Sequence, residues 1–458
     1  MAGQLWQLSA ADALEQFRLG TMLPSDLLES TLKRLDQINI KINAFTVVDW
    51  EGARASAAAS DRRWKSGKPA GPIDGVIFTV KDNITVKGLP CAWGSEAFKS
   101  FVPADDETPV ERLRDAGCVL LGKTTVSEFT IAQTNVSTRL CGTTRNPWNL
   151  RLTTGASSGG AVAALSSGLG QIALATDGGG SIRRPASHCG LVGLKPSTGR
   201  VARRNGLPVI LDDCEVIGPI ARTCADLTLA FREIAKPDVE DRKSLIFDGS
   251  TGSSPVAPKA RKILYVREIG RHEVDHDILR SCDAASCHLA EMGHHVEAGS
   301  LPFDFELYER HWPVIRDAGL AWLLRDRPWE GLISDMHAAM VRRGGELRAS
   351  DYVEALTAFR EIQAQFGRCF RRFDLLMTPT AGSLPWPAEQ EGPPRSRVFT
   401  GIVNAAGYPA ITIPGEPSSN GLPIGFQLVG RFGADWELVE LAAGYESRHP
   451  WSDRRPDL

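Results

Sequence analysis

The run Gly178-Gly179-Gly180-Ser181-Ile182-Arg183-Arg184 is costly to order, because glycine loses more backbone freedom on folding than any other residue. A chain accepts three glycines in a row where its backbone bends sharply or approaches another group closely. Consecutive N–H groups in such a turn form a concave anion site. Ser181, at the end of that turn, sits where a carbonyl oxygen would gain negative charge. A second glycine–serine segment, "GASSGG" at 155–160, lies upstream, with Ser157 and Ser181 standing 24 positions apart. Further upstream, "GVIFTVKDN" reads as a short buried strand that delivers Lys81 at its end. Hydroxyls, an amine and clustered backbone donors suit attack on a carbonyl with stabilisation of the resulting oxyanion.

Three better-known patterns also occur, and context rejects each. "GCVLLGKT" at 117–124 matches G-x-x-x-x-G-K-[ST]. A phosphate-binding loop needs its middle residues open between a strand and a helix, whereas Cys118-Val119-Leu120-Leu121 reads as the strand itself. "HEVDH" at 272–276 matches a zinc motif that needs both histidines on one helical face. Asp275 reads as the helix N-cap, which leaves His272 outside the helix, so no metal is expected. "GASSG" at 155–159 matches a nucleophile elbow but follows the loop-like "NPWNLRLTT" rather than a hydrophobic strand.

Alternating segments must hold these residues. Helices are expected from Ser9, from about Ser25 to Asn39, and over "GARASAAASDRRWKSG", "TPVERLRDAG" and "SSGGAVAALSSG". Strands are expected at "INAFTVV", "GVIFTVKDN", "CVLLGKT", "QIALATD", "KILYV", "FDLLMTPT" and "PAITIP". This alternation predicts an α/β sheet with helices on both faces. "DGSTGSSPVAPKAR" reads as a turn-rich connector, a helix is expected over about 275–292, and 303–370 reads as mostly helical.

Bulk composition narrows the function. The chain of 458 residues is 42% hydrophobic and 23% charged with a net charge of −3, which fits a soluble globular protein and gives no electrostatic case for nucleic acid or anionic membrane. Nine scattered cysteines without a C-x-x-C, no signal-like start and no 18-residue apolar run point to a cytoplasmic protein with reduced thiols and no membrane span.

The motifs "TVKDNITVKG", "GCVLLGKTTVSEF", "RNPWN", "GASSGGAVAALSSG", "LATDGGGSIRRPASHCGLVGLKPSTGRV" and "GLPIGFQLVG" resemble the amidase signature family of serine hydrolases, strongly over 72–222 and again over 372–430. The resemblance implies one α/β/α domain over 1–458, with a mixed central sheet flanked by helices on both faces. It implies that Ser181 is the nucleophile, Ser157 a bridging serine on a cis peptide bond, and Lys81 the base. Burial would lower the lysine pKa. It further implies an oxyanion site from Gly178, Gly179, Gly180 and Ser181, and a bracing pair of Asp177 with Arg183. Ser158 supports by hydrogen bonding, and the main chain of Thr130 lines the acyl pocket. Arg184 reads as a surface charge and His188 as structural. Ala156 and Gly178 depart from the family pattern, where glycine and a larger residue respectively are common.

No cofactor is expected. The reading is an amidohydrolase acting on a neutral, partly apolar amide, anilide or carbamate, free-standing or as a homodimer, with specificity set by the variable segment 225–370. Trp312, Trp322, Trp329, Phe303, Phe305 and Tyr308 in that segment line a pocket or, as large aromatics more commonly do, pack the core. The alternative within the family is the glutamine-hydrolysing component of a tRNA-dependent amidotransferase. Outside it stands a non-catalytic binding protein on the same fold.

Overall fold

The computed structural model describes residues 4–247, 259–270 and 272–458. The connector expected at 248–261 therefore lies largely outside the described residues. One sheet of 11 strands runs through the molecule. Its strands are β1 (Phe45–Val48), β2 (Ile77–Lys81), β3 (Val119–Thr124), β6 (Ile172–Asp177), β7 (Val192–Lys195), β8 (Val216–Ala221), β9 (Lys262–Tyr265), β10 (His295–Ala298), β11 (Leu375–Pro379), β12 (Ala410–Pro414) and β13 (Gly425–Gly430). A separate two-stranded ribbon holds β4 (Ser137–Thr138) and β5 (Gly142–Thr143). The spatial order is β1-β3-β2-β6-β8-β7-β12-β13-β11-β9-β10. β2 is parallel to both β3 and β6, whereas β6–β8, β8–β7, β7–β12 and β12–β13 are antiparallel, so the sheet is mixed.

Alternation along the strands explains why both faces are covered. On β3, Val119 and Leu121 pack with Leu28, Leu32 and Leu35 of the helix Pro24–Ile42, while Leu120 points into the larger opposite core. On β6, Ile172 and Leu174 join that larger core, and Ala173 and Ala175 face Ala161, Val162, Leu165 and Ala186 of two short helices. Small side chains on this second face let the helices Gly159–Ser166 and Arg183–Cys189 sit close to the strand. Every residue of Gly159–Ser166 is buried, as expected of a helix apolar all round. A Cβ on Gly160 would run into the backbone N and hydroxyl of Thr125 and the Ala44 carbonyl, so this position has no room for a side chain.

The lookalike motifs resolve as context requires. "VLLGKT" is β3, buried throughout. Helix His276–Glu291 begins at His276 with Asp275 at its N-cap position. The Asp275 carboxylate, however, does not cap that helix: it accepts from Leu384 N at 2.8 Å and Arg395 Nη2 at 2.7 Å. Segment 303–370 carries the helices Phe305–Leu324, Asp335–Glu346 and Ala349–Cys369. Gly160→Val is expected to destabilise the fold by about 1–3 kcal/mol through overpacking, read as a lower urea midpoint at unchanged slope.

Candidate active site

Register places the lysine. β2 pairs with β6 through Phe78↔Ile172, Thr79↔Ala173 and Val80↔Leu174, so Lys81 emerges beside the last residues of β6. The two strands are parallel and end together here, and ligand sites of open α/β sheets collect at the carboxyl ends of strands. Lys81 is fully buried. Its Nζ lies 2.8 Å from Thr176 Oγ1, 3.0 Å from Thr176 O and 2.7 Å from Ser157 Oγ. Burial lowers its pKa from 10.5 to about 7, against smaller upward pulls from Glu215 and Asp177. Asn83 fixes the Thr176 hydroxyl, its Nδ2 donating at 3.0 Å.

Ser157 precedes the helix Gly159–Ser166 and follows a cis Ala156–Ser157 peptide bond. Ser158 Oγ donates to Thr176 O at 3.4 Å, so Ser158 reaches the threonine that receives Lys81, while Ser157 reaches Lys81 itself.

The glycine turn continues directly from β6 and wraps around Asp177. The Asp177 carboxylate accepts from Gly180 N at 2.6 Å, Ile182 N at 3.1 Å, Arg183 Nε at 3.0 Å, Arg183 Nη2 at 2.9 Å and Asn404 Nδ2 at 2.9 Å. Burial alone would push this carboxyl up, but the Arg183 guanidinium and the Asn404 amide outweigh it and hold it well below the usual carboxylate range. Gly180 is required by its φ of +112°, and a Cβ there would collide with Thr400. Its N–H is spent on Asp177, which corrects the expectation that all three glycine donors face an oxyanion. Gly178, Gly179 and Ser181 have no side-chain acceptor for their N–H groups among the described residues. A Cβ on Gly178 would lie 2.6 Å from Leu211 Cδ1, so Leu211 fills the volume a larger residue would take.

Ser181 is 5% exposed, and its hydroxyl has no hydrogen-bond partner among the described residues. The link Lys81–Ser157 is therefore formed, while no hydrogen bond joins Ser157 to Ser181. The two serine loops are tied by another group. Arg184, expected at the surface, is buried, and its Nη2 donates to Ala156 O at 3.2 Å. It lies on the inward face of the helix that opens at Arg183. His188 is buried against Ser383 O at 3.3 Å and the Trp386 ring, and burial lowers its pKa to about 4.

Thr130 sits in an unusual loop: Phe129, Thr130 and Ala132 all have positive φ, of 51°, 58° and 65°. Such conformations in bulky or β-branched residues concentrate at functional sites. Trp93 Nε1 donates to Thr130 Oγ1 at 3.1 Å, and buried His337 braces the loop from below through Glu128 at 2.9 Å and Ile131 O at 3.2 Å. Of the aromatics in 303–370, Trp312 leans on the glycine turn, its ring 3.5 Å from where a Cβ on Gly179 would stand, and Tyr308 stacks near it at 5.7 Å. Phe303 instead packs on Phe366 at 3.9 Å, and Trp322 is exposed.

Sequence reasoning passed over Thr176, Asn83, Asn404 and Gln427. The last two are lone amides in apolar runs, "GIVNAAG" and "GFQLVG", and that isolation is the signal that could have found them. Arg183 Nη1 donates to Gln427 Oε1 at 3.0 Å and Nη2 to Asn404 Oδ1 at 2.6 Å.

A family model described as amidase matches residues 26–439. The chain belongs to the amidase family. This amidase is 32% identical to a glutamyl-tRNA(Gln) amidotransferase subunit of Desulforudis audaxviator, over 99% of this chain and 98% of the relative. It is 31% identical to an acylamidase of Rhodococcus erythropolis, over 98% of this chain and 97% of that protein. The structure of 6-aminohexanoate cyclic dimer hydrolase complexed with substrate superposes with a TM-score of 0.89 at 27% identity, covering 99% of each chain. The amidase is thus an amidase signature amidohydrolase with the mixed α/β fold of those enzymes. Among the described residues, no helix is long and apolar enough to cross a membrane.

Arg183→Met removes the partner of a buried carboxylate, a change that typically costs about 3–5 kcal/mol. Equilibrium unfolding should register a loss of that size, whereas Arg18→Met, in an exposed pair with Glu15, should register almost none.

Proposed function

We propose that Ser181 is the nucleophile of an acyl-enzyme mechanism, with Lys81 as base acting through Ser157. The observation that carries this reading is the arrangement around Lys81 Nζ. A neutral amine has two N–H donors and one lone pair. Thr176 O and Thr176 Oγ1 suit the two donors at 3.0 and 2.8 Å, which leaves the lone pair for the Ser157 hydroxyl at 2.7 Å. A pKa near 7 makes that neutral form abundant at physiological pH.

In this mechanism Lys81 takes the Ser157 proton as Ser157 takes the Ser181 proton. Ser181 Oγ bonds to the carbonyl carbon, and the electron pair moves to the carbonyl oxygen. Catalytic hydrogen bonds are often long before substrate binds, so the Ser157–Ser181 contact closes with the amide in place. N–H groups of Gly178, Gly179 and Ser181 receive the oxyanion, each such donor being worth about 3–4 kcal/mol. The C–N bond then breaks, the proton returns through Ser157 to the leaving nitrogen, and water releases the acid. Asp177, Arg183 and Ser158 hold the two loops in register, and the strained main chain of Thr130 lines the acyl side.

The substrate reading is a small-molecule amide, anilide or carbamate with an apolar portion, hydrolysed by a free-standing cytoplasmic enzyme. Tyr308 and Trp312, set against the glycine turn, support a specificity role for segment 225–370 within a single domain. The likeness to the Rhodococcus acylamidase supports this reading. The likeness to the Desulforudis amidotransferase protein supports the second, glutamine hydrolysis on behalf of a partner chain. Purified alone, the chain should cleave acyl amides or anilides faster than glutamine; glutaminase activity that emerges only with added partner chains would select the second reading.

Two experiments probe the chemistry. Ser181→Ala should abolish the fluorophosphonate adduct seen by mass spectrometry, and full activity in that variant would end the proposal. Labelling of the native enzyme should rise about tenfold per pH unit below pH 7 and level off above it, since only neutral Lys81 accepts a proton. Lys81→Ala should flatten that rise and slow labelling most below alkaline pH.

A further inference from the structure

The reaction as derived gives no task to three charged residues clustered behind the amine: Glu215, Arg203 and Glu107. Register brings the first of them in. β6 pairs with β8 through Asp177↔Val216, so Glu215, one residue before β8, stands beside Gly178. A Cβ on Gly178 would lie 3.6 Å from Glu215 Cβ. The Glu215 side chain is 13% exposed, and Arg203 Nη1 donates to its Oε1 at 3.0 Å. The same guanidinium donates Nε to Oε1 of fully buried Glu107 at 2.7 Å. Largely buried ion pairs are costly to assemble and gain little stability over apolar packing, so stability alone does not account for this cluster.

Glu215 faces two ways. Arg203 takes Oε1, and Oε2 stands 3.5 Å from Asn83 Nδ2, a long hydrogen bond. That nitrogen also donates to Thr176 Oγ1 at 3.0 Å, and an amide NH2 has a hydrogen for each acceptor. The Thr176 hydroxyl directs its own hydrogen to Asn83 Oδ1 at 3.3 Å, which keeps its lone pairs for donors, Lys81 Nζ at 2.8 Å among them. Polar contacts thus run unbroken from the Glu215 carboxylate through Asn83 and Thr176 to the Lys81 amine. The other acids near the amine are committed elsewhere: Asp177 is answered by Arg183, and Asp82 turns to Lys123 at 3.2 Å. Burial dominates the amine and pulls its pKa down. Of the charges, Glu215 pulls it up most, ahead of Asp177, while Arg203 and Arg184 pull it down.

We propose that Glu215 is a positioning residue for the base. Through Asn83 and Thr176 it supplies the counter-charge to the ammonium that forms when Lys81 takes a proton, and Arg203 sets how much of that charge the amine feels. This rests on the reading of Lys81 as base and deepens it. In the step concerned, the Ser157 proton moves to Lys81 Nζ and Ser157 takes the Ser181 proton. The freed electron pair on Ser181 Oγ bonds the carbonyl carbon, whose π pair moves to the oxygen. One positive charge thereby appears on a dry amine that began neutral. Left unanswered, it makes the amine too weak a base to draw a hydroxyl proton. With the carboxylate behind it, the amine is both neutral enough and basic enough to work near pH 7.

The pH profile of fluorophosphonate labelling at Ser181, read by mass spectrometry on the full chain, tests the role. Glu215→Gln should move the midpoint down by about one pH unit, and Arg203→Met should move it up by a similar amount. Opposite shifts from the two ends of one ion pair separate a charge effect from structural damage, which slows labelling at every pH. Glu215→Gln should also label faster than native protein at about pH 5.5, where more of its amine is neutral, and slower at about pH 9, where its weaker base sets the rate. Glu215→Asp and Arg203→Lys, which keep the charges, should hold midpoints nearer the native one, and the melting temperature of each variant checks its folding. Should Glu215→Gln fail to fold, Arg203→Met set against Arg203→Lys reads the same charge, and a midpoint that does not rise overturns the role. An unchanged midpoint in folded Glu215→Gln, or shifts of the same sign in both variants, overturns it too, while a native midpoint near pH 7 leaves the base reading standing. A native profile without that rise, or full labelling after Lys81→Ala, removes the base reading itself and Glu215's role with it.

Discussion

An amine held dry between Thr176 and Ser157 is the constraint on which the site depends. Lysine ordinarily stays charged and reaches for solvent. Here a central strand ends on it, so Lys81 has no path to water, and two oxygens of one threonine are its principal compensation. Deprotonation relieves the cost of burial, and in the proposed mechanism the same relief makes it a base. The chemistry is therefore a consequence of strand order: β2 beside β6 in parallel, with a register that sets residue 81 against residues 175–177.

The second requirement is that two serine loops, distant in sequence, keep a fixed relation. The structure achieves this with polar groups packed into an apolar interior. Asp177 gathers the turn by accepting from its backbone, Arg183 neutralises Asp177, and Asn404 and Gln427 bring the C-terminal third of the chain to the same point. Such a network is stable only when every member is satisfied, which ties the glycine turn to the integrity of β13 and the helix Gly401–Ala406. Small residues serve the same end, since Ala173, Ala175, Gly159 and Gly160 allow close approach where side chains would hold the loops apart.

Much of this was legible in the sequence. Runs with clear period and punctuation, such as "GVIFTVKDN" and "CVLLGKT", fold as read, and the strand character of the second correctly removed a nucleotide-loop reading. Strands that break the pattern were not legible. "VIGPIA" carries Gly218 and Pro219 in its middle yet forms β8, because its antiparallel neighbours on both sides fix it in the sheet. "GFQLVG" hides its strand behind a buried glutamine whose purpose is tertiary. Arg184 shows the limit most plainly. Two adjacent arginines look alike in sequence, and both prove to be buried; a short helix turns one toward Asp177 and the other toward the bare face of Gly180.

The most direct test of the central claim is the titration of Lys81 itself. In protein carrying 13C at lysine Cε, the Lys81 resonance, assigned by its absence from Lys81→Met, should change between its charged and neutral positions with a midpoint near pH 7. A midpoint near the ordinary lysine value, or a resonance that stays charged throughout, would mean that the buried amine is not the base and that the proton path through Ser157 does not exist.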